Sequence, residues 1–545
     1  MTEKIRYVFS KARCGETVPS IVLLSGETMS LHSMIDPKQE ARRLVSAIAE
    51  DTGFLIFLGL GGGFAPEAAL ELTAARIIVI DFDKDSIKEL LASRNYSKLL
   101  NNDRFSLIID PSCEGIKKII LENYKPALFG GIKTIPLRPR TEQNREEFEN
   151  AFKAIQEAIE ITGRDYSVQA HFGIRWFSNI IRNIKNIKND SYDFFEDKKQ
   201  IKDAAVIAAG PSLDHQISLL KEVKEKRCFI ISTDTALPAL LHNGIEADAV
   251  VSIDCQHISY YHFLGCNLQN IPLILDIASP PSFINLSESP AFFSSGHPLS
   301  VYIREHWPSF TQLDTSAGNV TYTCLSLAEK LGASHITLFG ADFSYIDSRA
   351  YARGTYLNPY FSVRQNRLSP AEAQSSAFLY RNPFLPPEKD ERNKSRYYET
   401  SSLRFYRKKL EEKAAMMTAV ITCARGFGAL VCIQSREESA NRGLENIIYQ
   451  NKEKSTERKE NIKKSIKMSG AEFLEQYRDD IAALPASDDN YFYKLNSKDK
   501  RLFITLLPFA AAVRKQNAAL KQKDLINEVK TQSVKKIEQV LNAIH

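Results

Sequence analysis

Asp234 ends the apolar run FIISTD and Asp254 ends the run VVSID, so two carboxylates close two consecutive strand-like segments. A carboxylate in such a place can accept hydrogen bonds from ribose, base or acceptor hydroxyls, or take a proton from one of them. Thr233 and Thr235 flank the first acid, and Ser252 stands two residues before the second. Upstream, AAVIAAG runs into Gly210-Pro211-Ser212 and a helix-compatible stretch. Glycine lets a backbone approach a ligand, proline sets the first helical turn, and the free amides of that turn attract phosphate. The plainer alternative is a helix capped by Ser212 or Asp214. Downstream, Thr315-Ser316-Ala317-Gly318-Asn319 is a second small-residue turn, able to offer several donors to a phosphate or carboxylate, and HITLFGAD closes on Gly340-Ala341-Asp342.

These groups need elements that hold them on one side. The runs AAVIAAG, FIISTD, AVVSID, PLILD, HITLFGAD and ALVCIQ alternate with helical stretches, which implies a mostly parallel sheet covered by helices on both faces. Ligands of such sheets sit beyond the carboxyl ends of the strands, so the polar residues that end these runs share one rim. This segment, 201–435, is read as a central catalytic domain. Before it, FLIFLGLGGG, PEAALELTAA and RIIVIDFD read as strand, Gly-rich turn, helix and strand within an N-terminal Rossmann-like domain, 1–140. Asp81 follows Gly59 by about twenty residues, where a dinucleotide or S-adenosylmethionine fold puts an acid on ribose. The third glycine of the G-x-G-x-x-G pattern is replaced by Phe64, so a purely structural tight turn is the competing reading.

Residues 141–200 read as a helical connector, with Phe148, Phe152, Ile155 and Ile159 on one face and Trp176, Ile180, Ile184 and Ile187 on another. Residues 436–545 read as a helical C-terminal domain. It opens with the densely charged KEKSTERKENIKKSIK, a solvated face in the plain reading, and continues with amphipathic spacing at Phe473, Tyr477, Ile481 and Leu484, and again from Val529 through Val534, Ile537 and Leu541 to Ile544. The fold class is therefore α/β: two Rossmann-like domains and a helical C-terminal region.

Composition bounds the partners. At ~150 residues per domain, 545 residues imply about three or four domains. Hydrophobic residues at 43% and charged residues at 25% exclude a collagen-like or wholly disordered chain. A net charge of +5 is too small for bulk charge to imply nucleic-acid binding. The eight cysteines contain no Cys-x-x-Cys spacing for zinc or redox chemistry and read as reduced, mostly buried thiols. The N-terminus lacks the apolar core of a signal peptide, and the longest apolar runs are too short or too interrupted to cross a bilayer, so the expected location is the cytoplasm, without membrane insertion.

The ordered run GPSLDHQI, STDTAL, Gly244-Ile245-x-x-Asp248 into VVSID, SAGNV and LFGADFSY resembles the motility-associated factor (Maf) family of flagellin glycosyltransferases. The resemblance extends through the N-terminal unit and the connector motif Trp176-x-x-Asn179-x-x-x-Asn183. It implies transfer of a nonulosonic acid, of pseudaminic or legionaminic type, from a CMP-sugar to Ser or Thr of flagellin in the cytoplasm. The C-terminal helices are then a candidate flagellin-binding platform. The central domain is also similar to bacterial sialyltransferases. By that similarity Ser316, Gly318 and Asn319, together with Gly340 and Asp342, face the CMP moiety, and Tyr345 and Tyr351 hold the phosphate. Gly210, Pro211, Ser212, Thr233 and Thr235 complete the expected donor-binding set.

A CMP leaving group carries one phosphate, which hydroxyl and amide donors can stabilise, so no metal and no further cofactor is expected. The similar sialyltransferases use a histidine base downstream of the tyrosines, and between His335 and His545 this chain has none. Glu399, Asp234, Asp254 and His257 remain candidates for the base, in no order. Arg349, Arg353, Arg364 and Arg367 cluster in a Tyr- and Pro-rich insertion, 344–396, that reads as a lid able to meet a sugar carboxylate, or as a solvated loop.

Three rivals stand beside this reading. One is a 6-hydroxymethylpterin diphosphokinase-like enzyme using ATP and Mg²⁺. Another is methyl transfer at the N-terminal Gly-rich turn, with Asp81 on the adenosine ribose. The last is a non-catalytic flagellin-binding scaffold. Spacing leaves the oligomeric state open.

Overall fold

A computed structural model describes residues 5–543 apart from 24, 186–193, 198–200, 307–309, 386–396, 430, 434–467 and 488–490. The charged run at 452–467 and the position of Ile187 therefore lie outside the described residues, as does the end of the 344–396 insertion. The chain forms two compact units. One comprises Met1–Ile174 with Tyr477–Glu538, the other Arg175–Gln476 with Gln539–His545, so most of the C-terminal helical residues fold with the N-terminal unit.

In the first unit, β1 (Tyr7–Lys11), β2 (Thr17–Val22) and β3 (Thr28–Ser30) make a small antiparallel sheet. β4 (Phe54–Leu58), β5 (Arg76–Asp81), β6 (Phe105–Ile109) and β7 (Ile132–Pro136) make a parallel sheet of order β6-β5-β4-β7. The central strands FLIFL and RIIVID are buried throughout, as an unbroken apolar run covered on both faces requires. The helix Arg145–Lys185 supplies residues to both units. Phe148 and Ile155 are buried as their spacing implies, whereas Phe152 is 40% exposed. Gly173 permits close packing within the first unit, because a methyl there would lie 1.8 Å from the carbonyl oxygen of Pro508 in the helix Leu507–Gln516. Phe473, Tyr477, Ile481 and Leu484 are all buried, as their helical spacing implies.

The second unit is built on a seven-stranded sheet. Its strands are β8 (Asp203–Ile207), β9 (Phe229–Thr233), β10 (Ala249–Ser252), β11 (Leu273–Asp276), β12 (Pro290–Phe293), β13 (His335–Phe339) and β17 (Val420–Cys423). Between β13 and β17 the insertion forms β14 (Tyr345–Ile346), β15 (Phe384–Leu385) and β16 (Tyr397–Thr400), a short antiparallel sheet of order β14-β16-β15. Every pairing in the large sheet is parallel, in the order β12-β11-β10-β9-β8-β13-β17. Alternate residues feed two cores. Val206, Ile231, Val251, Ile274 and Ile336 pack on one face with Leu325 and Leu410, and Ala205, Ile207, Ile230, Val250 and Leu273 on the other with Leu213, Leu220 and Leu240. This is the α/β architecture expected from the runs, with one shift. The described residues of ALVCIQ form no strand, and the edge strand is Val420–Cys423, just before it. The strand order reverses between β8 and β13, which makes that junction the topological switch point.

Four of the eight cysteines, Cys14, Cys113, Cys423 and Cys432, are exposed rather than buried.

Candidate functional site

At the switch point the chain uses its own donors and acceptors. Gly210 N–H donates to Gly340 O at 2.9 Å, and Ser212 N–H donates to Asp342 Oδ2 at 2.7 Å. The carboxylate of Asp342, 5% exposed, thus takes the place expected for a ligand phosphate at the start of the helix Leu213–Glu225. Its pKa is raised by burial, against the pull of the Ser212 donors and Arg349. The segment after β17 crosses the same place. Phe427 N–H donates to Ser212 Oγ at 2.9 Å, Ala429 N–H donates to Ser344 Oγ at 2.9 Å, and Gln216 Nε2 donates to Arg425 O at 2.9 Å. A methyl on Gly428 would lie 2.4 Å from Ser344 Oγ, so only glycine fits there. The phosphate cradle expected from Gly210-Pro211-Ser212 and Gly340-Ala341-Asp342 is therefore a self-satisfied lock. A turn's amides attract anions only when no closer acceptor holds them, and here Asp342 does.

On the other side of β8 the rim carries a polar cluster. Asp234, just beyond β9, is 1% exposed. Its Oδ1 accepts from Thr235 N–H at 2.7 Å and Thr235 Oγ1 at 3.1 Å; its Oδ2 accepts from Ser252 Oγ at 2.8 Å and lies 3.3 Å from His262 Nδ1. Burial alone would raise the Asp234 pKa, but His262, Ser252 and the Thr235 amide outweigh it and hold the carboxyl below its usual range. Burial likewise works against the charged imidazole of His262, and Asp234 with Asp254 outweighs it, so this histidine titrates above its ordinary value. Asp254 is raised, mainly by burial, and accepts from Gln256 N–H at 2.8 Å. Asp276 continues the row at the end of β11, its pKa pushed up to about 6 by burial against hydrogen bonds from Ser295 and the Ala278 amide.

The insertion brings tyrosines to this side. The Tyr356 ring lies tilted at 48° to that of His262, 4.5 Å between centroids, and Tyr351 lies 6.3 Å from Tyr356. Burial raises the pKa of Tyr345, Tyr351 and Tyr356, so each keeps its phenolic proton as a donor at neutral pH. Tyr351 senses Asp234 and Tyr345, and all three phenols sense Arg381. The helix Val320–Lys330 packs beside β8, β9 and β10 and leads into β13, so its N-terminus faces the carboxyl rim. There Asn319 Oδ1 caps the helix through Tyr322 N–H at 2.9 Å, while its Nδ2 is buried without a hydrogen-bond partner among the described residues. Ser316 N–H and the Tyr322 hydroxyl both donate to Asp314, and Gly318 takes a φ of 70° that closes the turn.

The remaining sequence candidates are placed elsewhere or used locally. Thr233 Oγ1 accepts from Ala236 N–H at 3.2 Å. Glu399 is fully buried between Arg404 at 2.7 Å and Arg407 at 3.3 Å, so its carboxylate is a structural ion-pair node rather than an open base. His257 is exposed, its ring 5.9 Å from Tyr260. Arg349 pairs with Asp214 at 2.7 Å and anchors the insertion, and Arg364 lies 3.7 Å over the Tyr360 ring.

In the N-terminal unit Asp81 is fully buried against Arg140 at 2.7 Å and accepts from Leu60 N–H at 2.7 Å. Gly62 N–H donates to His32 Nε2 at 2.7 Å. A ribose acid would need an open carboxylate, and this one is closed by the chain.

Sequence reasoning missed His262, Tyr356, Asp276 and Arg381. The run SYYHF, only a few residues past Asp254, was the available signal for His262. Among the described residues, no group of three His, Cys, Asp or Glu side chains is arranged to hold a metal ion, and no helix is long and apolar enough to cross a membrane.

Residues 178–348 match the MptE-like family model, described as 6-hydroxymethylpterin diphosphokinase MptE-like. An uncharacterised protein of Treponema pallidum (strain Nichols) is 34% identical over 178 residues, 31% of this chain and 63% of the relative. A second from the same organism is 28% identical over 159 residues, 28% of this chain and 75% of the relative. The chain thus spans less than two thirds of the first relative's length. Among solved structures, the Maf glycosyltransferase from Magnetospirillum magneticum AMB-1 aligns over 100% of this chain and 94% of its own, with a TM-score of 0.54 and 15% identity. That likeness establishes the fold, and it meets the resemblance read from the ordered motifs.

Proposed function

We propose that this chain, which has the fold of a Maf glycosyltransferase, transfers a nonulosonic acid from a CMP-sugar to Ser or Thr hydroxyls of flagellin in the cytoplasm. The observation that carries the reading is the extent of the fold correspondence, which takes in the N-terminal unit and the C-terminal helices, whereas the MptE-like match stops at residue 348. The rim of the second unit supports it chemically. Tyr345, Tyr351 and Tyr356 are protonated phenols, Asn319 Nδ2 is a buried donor in need of an acceptor, and Arg381 lies within electrostatic reach of the phenols. Such neutral donors and one cation suit a leaving group with a single phosphate and a sugar carboxylate. The donor lies along the β9–β10 side of the rim, with the lock at Gly210–Ser212 and Asp342 as its wall.

The MptE-like match favours pyrophosphate transfer from ATP as the second reading. Thermal stability against CMP, CDP, S-adenosylmethionine and Mg-ATP separates the two, because a ligand selective for the native state raises the melting temperature by mass action. A rise with CMP alone is expected. A rise with Mg-ATP and none with CMP overturns the proposal in favour of the diphosphokinase reading.

A further inference from the structure

We propose that the acceptor hydroxyl gives its proton to Nε2 of His262, with Asp234 as the positioning residue that holds the imidazole. This deepens the transferase reading and rests on it.

The geometry begins with Asp234, whose two oxygens are fixed by Thr235 and Ser252 at 2.7–3.1 Å. Its Oδ2 faces His262 Nδ1 at 3.3 Å, so a carboxylate there sets the tautomer with the proton on Nδ1 and the lone pair on Nε2. His262 is held on the seven-residue 3-10 segment His257–Phe263 that follows Asp254, and its ring lies 4.5 Å from the Tyr356 ring between centroids. The other groups facing it are Asp254 just past β10, the Thr235 hydroxyl at 3.5 Å, and the insertion's phenols with Arg381 beyond them; Cys324 lies near Asp234 from the helix Val320–Lys330. Cys266 Sγ donates to the backbone carbonyl of His262 at 3.9 Å. Of the other candidates, Glu399 is tied to two arginines, His257 is exposed with its ring 5.9 Å from Tyr260 on its own segment, Asp234 has both oxygens engaged, and Asp254 accepts from Gln256 N–H through Oδ1.

In the step itself the acceptor O–H bond breaks and its proton moves to Nε2. The hydroxyl oxygen bonds the anomeric carbon of the CMP-sugar, and the bond from that carbon to the phosphate oxygen breaks with its electron pair leaving on CMP. The imidazolium that results lies beside the Asp234 carboxylate and within electrostatic reach of Asp254, which stabilise it until the proton passes to solvent. The base is competent only when neutral. Because Asp234 and Asp254 raise its pKa, transfer should increase with pH through a value above the ordinary one for histidine.

The test measures transfer against pH for the wild-type chain, His262→Gln and Asp234→Asn, with CMP binding and melting temperature measured on each. His262→Gln should lower kcat by about 10²–10⁴-fold while leaving CMP binding intact, and should erase the acid limb. Asp234→Asn should move that limb to lower pH, which a merely structural role would not do. Should a variant fail to fold, the wild-type limb decides alone: a cationic acid keeps its pKa when organic solvent is added, and a carboxylic acid moves upward. A kcat within a few-fold of wild type for folded His262→Gln, or a limb that moves upward in solvent, overturns the proposal and leaves the transferase reading standing. A wild-type chain that neither binds CMP nor transfers overturns that reading instead.

Discussion

Replacing Glu399 by Gln distinguishes a structural acid from a catalytic one. Its Oε2 accepts from Arg404 Nε at 3.1 Å and Nη2 at 2.7 Å, and its Oε1 lies 3.3 Å from Arg407 Nη2. Removing one partner of a buried ion pair costs about 3–5 kcal/mol, because the remaining charge stays desolvated. Glutamine keeps one acceptor oxygen and Arg404 is 21% exposed at its side chain, so the lower end, about 3 kcal/mol, applies. At about 2 °C per kcal/mol for a unit of this size, the melting temperature should fall by about 6 °C. The assay pairs thermal unfolding with transfer measured well below the transition, where the variant should keep activity within a few-fold of wild type. The double variant Glu399→Met with Arg407→Met should recover part of the loss, since the more deeply buried of the two arginines is removed together with the acid. An unchanged melting temperature with transfer abolished would refute the structural assignment and make Glu399 the base.

Two further outcomes follow from buried groups in the N-terminal unit. Burial, with a contribution from Arg94, holds His32 down to about 4 while its Nε2 accepts from Gly62 N–H. The unfolded chain binds that proton at about 6.5, so between the two values unfolding takes up a proton and stability is lost as pH falls. From pH 7 to 5 the wild type should lose about 2 kcal/mol more than His32→Asn in urea unfolding, and equal losses would count against a neutral, buried His32. Arg140→Ala should destabilise this unit by about 3–5 kcal/mol, because it strands the Asp81 carboxylate, and a cost near zero would mean that Asp81 has another partner.

The sheet was legible because buried parallel strands are unbroken apolar runs, and β8, β9, β10, β11 and β13 all lie where such runs stand. The rim was legible too, since a parallel sheet puts every strand's carboxyl end on one side, which brings Asp234, Asp254 and the residues after Gly340 there. What the strand-end motif could not convey was who satisfies whom. Gly210-Pro211-Ser212 looks open to a phosphate until Asp342 and Phe427 arrive from 130 and 215 residues away. Asp234 meets His262 over a much shorter stretch of chain, and the pairing depends on where a short 3-10 segment lands after Asp254. Glu399 resembled a free acid because its arginines lie one and two helical turns further on, and only the helix Ser401–Met416 folds them back onto it. ALVCIQ carried the apolar signal of a strand, yet the segment around it is used to cover the switch point.

Group transfer to flagellin is read out by intact mass. Unmodified flagellin is incubated with this chain and a CMP-nonulosonic acid, and both flagellin mass and free CMP are followed. Flagellin should gain mass in increments of one nonulosonic residue, each matched by one CMP released, and the increments should disappear when the acceptor Ser and Thr residues are replaced. CMP release without a gain in flagellin mass, or neither, in a folded chain would contradict it.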